Sequence, residues 1–120
     1  MIFTVKRSKW LRGEGRGNSY LRRERDGKMC CLGFRARAVG FTARRITGKI
    51  SPRNLYHKLE DVKEQDAGLV AVYCTRYLGD TELCNRIMTI NDSKDITEIT
   101  RENQLKAFFK RLGDTVIFKD

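Results

Sequence analysis

Apolar and polar positions alternate at both ends of the chain. Ile2-Phe3-Thr4-Val5 and Thr115-Val116-Ile117-Phe118 are β-branched or aromatic runs, so each reads as a short strand. Further in, the spacing changes. Cys30, Cys31, Phe34 and Ala38 fall at helical intervals and Gly40 follows, which predicts a short helix that stops at this glycine. Just before it, Ser19–Glu24 and Lys28–Cys31 flank Arg25-Asp26-Gly27, and Asp-Gly is a strong hairpin dipeptide. The pattern predicts a hairpin leading directly into the helix. Ser51-Pro52 joins a capping side chain to a proline at the first helical position. A helix from Pro52 to about Glu60 should follow, burying Leu55, Leu59 and Tyr56. Leu69–Cys74 is apolar and partly β-branched; strand and helix are nearly balanced there, and strand is the reading taken.

Asp80 or Thr81 can cap a further helix, with Leu83, Ile87 and Ile90 as its apolar stripe, Cys84 and Met88 beside them, and Asn91-Asp92-Ser93 at its end. Thr97 or Thr100 caps the last helix. Its apolar face is Ile99, Leu105, Phe108, Phe109 and Leu112; Lys110 and Arg111 suit the C-terminal dipole, and Gly113 ends it. Pairing the two terminal strands in one sheet is economical. The expected fold is α+β: a small antiparallel sheet of the N- and C-terminal strands, plus a hairpin, with helices packed on one face. At 120 residues the whole chain, 1–120, fits a single domain. A hydrophobic share of 40% is enough for one core.

Charge changes the picture. Residues 1–58 carry sixteen Lys and Arg against Glu14, Glu24 and Asp26, a balance of +13; residues 59–120 carry nine against twelve, a balance of −3. So strong an asymmetry suits a polyanionic partner, and phosphate backbone fits best. The bland alternatives are solubility and the covering of the chain's own acidic half; an acidic protein surface is the rival partner. Arg12, Arg16, Arg22, Arg23, Arg25, Arg35 and Arg37 are the expected phosphate contacts, because a guanidinium fork matches phosphate oxygens. Tyr20 is an aromatic candidate for stacking on unpaired bases; Trp10 is another, with core packing the better reading for so large a ring. No helix-turn-helix, zinc-finger or RNA-recognition signature accompanies them.

Other chemistries find less support. Cys30, Cys31, Cys74 and Cys84 lack the paired spacing of a zinc site, and His57 is the sole histidine. Lys28 and a helix start lie near Cys30 and Cys31, but no nearby histidine could act as base, so buried structural thiols are expected rather than a thiol or metal enzyme. Gly13-Glu14-Gly15-Arg16-Gly17 has the look of a phosphate loop, yet Ser19–Arg23 beyond it lack helical periodicity. The clustered carboxylates of a hydrolase are missing too. The expectation is a non-enzymatic protein without a cofactor. No apolar run approaches the roughly 20 residues of a membrane span, and Met1–Val5 is too short for a signal peptide's apolar region. A soluble, cytoplasmic protein without membrane contact is expected.

Gly27-Lys28-Met29-Cys30-Cys31-Leu32-Gly33-Phe34 resembles a block in small accessory proteins of tailed phages and prophages, in which an aromatic residue or Met precedes Cys-Cys-Leu-Gly and an apolar helix. Ile87-Met88-Thr89-Ile90-Asn91-Asp92 is similar to a later block of the same proteins, as are Ser8-Lys9-Trp10 and Val116-Ile117-Phe118. The resemblance runs from about Ile2 to Phe118 and departs after Phe34, where Arg35 and Arg37 replace the more usual apolar residues. It brings no activity with it. It implies a phage accessory product acting in the host cytoplasm, where a nucleic acid or a host nucleoprotein complex would be the partner. A counter-defence inhibitor, of the kind that occupies a CRISPR effector, fits that setting. An inhibitor docking on an acidic host protein is the alternative.

Overall fold

The structure, a computed structural model, describes residues 1–52 and 81–120, without the side chains of residues 16 and 81–84. The expected helix to Glu60 and the expected strand Leu69–Cys74 lie outside the described residues, as do His57 and Cys74. The terminal strands form as the alternation requires: β1 is Ile2–Lys6 and β2 is Thr115–Lys119, each with its second and fourth residues buried. They pair in one two-stranded sheet, but in parallel, with Ile2 opposite Thr115 and Lys6 opposite Lys119. The antiparallel expectation is corrected here. A period-two pattern reads the same in either direction. Direction is set instead by the helix before β2 and the turn at Gly113, whose φ is 82°.

Helix α1 spans Cys31–Val39 and ends on Gly40 in the left-handed conformation. A single turn, α2, spans Ala43–Ile46, capped by Thr42 accepting from the Arg45 N–H; its short stretch carries no periodicity that sequence could reveal. Helix α3 is Thr81–Asp92 and helix α4 is Glu98–Arg111, capped by the Thr97 hydroxyl. The α+β class therefore stands, with α1 against β1 and α4 against β2.

The core fills the space between the sheet's inner face and these helices. Phe3 meets Phe109 edge-on at 5.0 Å, and Trp10 lies tilted on Phe118 at 4.8 Å. Leu21, Leu32, Phe41, Ile46, Ile87 and Leu105 are buried around them. Gly33 is where α1 crosses the 20–22 segment. A Cβ there would sit 1.8 Å from the Leu21 carbonyl oxygen, so only glycine allows the approach. The hairpin is reduced to its turn. The Arg23 N–H donates to the Lys28 carbonyl and the Cys30 N–H to the Tyr20 carbonyl, while Arg22 bridges to Thr47 and Met29 to Trp10. Apart from the two bonds between the arms, their backbone groups pair with other segments, so no regular two-stranded ladder develops.

On α4 Ile99, expected on the apolar face, is exposed, and Arg101 is buried. Arg101 donates to the carbonyls of Ile90, Asn91 and Ser93 at 2.7–2.8 Å and so satisfies the orphan acceptors at the end of α3. Next to it, Asn91 joins three segments. Its Oδ1 accepts from the Trp10 indole N–H and the Cys31 N–H, and its Nδ2 donates to the Leu11 carbonyl and to Asp92. The two sequence blocks singled out above thus meet in the interior, Cys31 against Asn91.

Candidate nucleic-acid interface

The basic half divides into arginines used inside the fold and arginines left at its surface. Arg35 belongs to the first group. It is buried on α1 and donates through Nε to the Asp114 carboxylate at 2.6 Å. Phosphate contact from Arg35 was expected on the assumption that a charged helical residue faces water; its burial among apolar neighbours removes it from any surface. Arg12 pairs with Glu98 at 2.5 Å and lies over the Trp10 ring at 4.4 Å. Burial pushes the Glu98 carboxyl up, but its bond from Arg12 and the nearby Arg101 outweigh this and hold it below the ordinary value. Arg7 pairs likewise with Glu102 and Asp120. Arg7, Arg12 and Arg35 all bind acids of the second half of the chain. Part of the charge asymmetry is therefore internal, as the bland reading held.

Arg23 is also committed. Its Nε and Nη2 clamp Asp26 at 3.1 and 2.7 Å, and its Nη1 reaches Glu14 at 2.6 Å. The bond from Arg23, helped by the Lys28 backbone N–H, holds the Asp26 carboxyl well below the usual range. The same carboxylates keep the Arg23 guanidinium firmly protonated.

Arg22, Arg25 and Arg37 form no ion pair among the described residues. Arg22 donates to the Thr47 hydroxyl at 2.9 Å and Arg37 to the Phe41 carbonyl at 2.8 Å, while Arg25 is exposed. Arg37 lies in the last turn of α1, and neither it nor Arg22 lines the cleft described next.

Tyr20, Arg23 and Arg25 line one open cleft of about 330 Å³, together with Glu14, Asn18, Glu24 and Gly48. Three segments make its walls. The 13–18 loop, which includes the 3-10 turn Arg16–Asn18, is tied to the end of α3 by Gly13 N–H to Asn91 O and Gly15 N–H to Asp92 O, both 2.9 Å. The loop is therefore anchored. The 20–25 segment is held to the 47–49 turn by Leu21 N–H to Lys49 O at 2.7 Å and Gly48 N–H to Arg22 O at 3.0 Å. Lys49, next to the lining residue Gly48, is exposed.

Sequence reasoning missed Glu14, Asn18, Glu24, Gly48 and Lys49. A signal was present: the basic half's three acids all fall within residues 14–26, the stretch that builds this cleft. Trp10, weighed for stacking, is a core residue at 2% exposure. Cys30 and Cys31 are buried, as expected of structural thiols. Among the described residues no helix is long and apolar enough to cross a membrane, and no group of three potential ligands could hold a metal ion.

No family model, curated protein or solved structure matches the chain.

Proposed function

We propose that this is a non-enzymatic protein that binds nucleic acid through the cleft lined by Tyr20 and Arg25, with Lys49 exposed beside its lining residue Gly48. One observation carries the reading: after internal pairing has used Arg7, Arg12, Arg23 and Arg35, the exposed Arg25 lines an open cleft together with the aromatic ring of Tyr20, and Lys49 is exposed next to the lining Gly48. Cations without carboxylate partners supply phosphate affinity, and an aromatic ring supplies a stacking surface for a base. Fixed walls favour binding because little order is lost on association. Within the setting implied by the phage-protein resemblance, such a module would occupy a host nucleoprotein complex and act as a counter-defence inhibitor.

The test is fluorescence anisotropy with single-stranded oligonucleotides over a salt series. Neutralising two phosphates, one each for Arg25 and Lys49, gives a log–log slope of about −1.4 at about 0.7 per contact on single strands. No binding at about 50 mM salt, or binding that ignores salt, would rule the reading out.

A further inference from the structure

We infer that the cleft takes an unpaired guanine, read by the carboxylate of Glu24; the inference rests on the nucleic-acid reading above and names its ligand class. A bare phosphate path would be lined by cations alone. This cleft instead places Glu24 and Glu14 beside Arg25 and Tyr20. Glu24 is exposed within Arg22-Arg23-Glu24-Arg25 and forms no ion pair or hydrogen bond with a described residue. Glu14 gives one oxygen to Arg23. Asn18 spends one amide N–H on the Glu14 carbonyl at 3.0 Å and keeps a second N–H and its side-chain oxygen.

The two carboxylates, with three oxygens that no described residue engages, are pure acceptors. They call for a donor-rich edge. A carboxylate presents two oxygens side by side and no donor. Guanine alone among the bases offers two adjacent donors on its Watson–Crick edge, N1–H and the N2 amino group. Adenine and cytosine set a ring-nitrogen acceptor beside their amino group, which a carboxylate repels. Uracil flanks its single N–H with two carbonyls. In a duplex the guanine edge is occupied by cytosine, so the cleft reads guanine only in a single strand, loop or bulge. Tyr20 then serves the base face and Arg25 the adjoining phosphate. The volume of about 330 Å³ lies in the range of small-molecule sites.

The experiment measures anisotropy for U-tract oligonucleotides of about eight nucleotides carrying one central G, A or C, or none, and for the G oligonucleotide annealed to its complement. The expected result is at least about tenfold tighter binding of the single-stranded G oligonucleotide, which is about 1.4 kcal/mol. Glu24→Gln should abolish that preference while leaving the plain U-tract as tight or tighter, because a negative charge has been removed. Tyr20→Ala should weaken every single strand. Equal affinity for all four oligonucleotides, or a guanine preference that survives E24Q, overturns this inference and leaves general nucleic-acid binding standing. Failure of every oligonucleotide to bind overturns both. Circular dichroism confirms that the E24Q protein is folded.

Discussion

Replacing Asn91 with leucine tests whether the interior is joined as described. Asn91 is 1% exposed and makes four hydrogen bonds: it accepts from Trp10 Nε1 at 2.8 Å and Cys31 N at 3.1 Å, and donates to Leu11 O and Asp92 Oδ1 at 3.0 Å. Leucine has similar bulk, so cavity formation contributes little. The loss lies in three stranded groups: the indole N–H, the first N–H of α1 and the Leu11 carbonyl. A buried polar group left without a partner costs about 1–3 kcal/mol. Some relief by local shifts brings three of them to about 4 kcal/mol, a large part of a typical total of roughly 5–15 kcal/mol. For a chain of this size that is a fall in Tm of about 15 °C. Trp10 is the only tryptophan, so its fluorescence reports both urea and thermal unfolding at this site. A Tm within about 2 °C of the parent would refute the junction, since it would mean these bonds contribute well under 1 kcal/mol.

Gly33→Ala should destabilise by at least the upper end of the roughly 1–3 kcal/mol usual for overpacking, because the new methyl meets backbone rather than a flexible side chain; a parent-like urea midpoint contradicts the close approach. Arg23→Glu sets a third carboxylate beside Glu14 and Asp26 and should lower Tm clearly, whereas Arg25→Glu should leave it nearly unchanged. Equal melting of the two variants would show that Arg23 is not structural. Asp26 and Glu98 are both held below their ordinary values of 3.8 and 4.5, so the unfolded chain takes up their protons first as pH falls. The stability they contribute is complete above about pH 5 and declines through the acid range below it. Urea midpoints that do not fall between pH 5 and pH 3 would remove this contribution, and Asp26→Asn with Glu98→Gln should flatten the decline.

Much of the framework is legible in the residues because local rules decide it. Alternation places both terminal strands, Gly40 ends α1, Thr97 caps α4, and Asp26-Gly27 makes its turn. What stays hidden is set by tertiary partners. The parallel direction of the sheet leaves no trace in a period-two pattern. Arg35 and Arg101 look like surface residues because their partners, Asp114 and the carbonyls at the end of α3, lie far away in sequence or carry no side-chain signal. The charge asymmetry is plain in the sequence, but its division is not. Only the fold separates Arg12, Arg23 and Arg35, which hold the molecule together, from Arg25, which remains at the cleft with Tyr20.

The central claim is that Arg25 and Lys49, rather than net charge in general, bind nucleic acid. Arg25→Glu with Lys49→Glu alters one charge that lines the cleft and one beside its lining residue Gly48; Lys106→Glu with Lys110→Glu alters two exposed charges on α4 and changes the net charge equally. Affinity for one single-stranded oligonucleotide across a salt series compares them directly. The cleft double variant should lose most of its affinity and show a log–log slope shallower by about 1.4, two contacts at about 0.7 each, while the α4 variant stays near the parent. Equal losses in the two variants would contradict the account, because binding would then follow the overall charge and not the cleft.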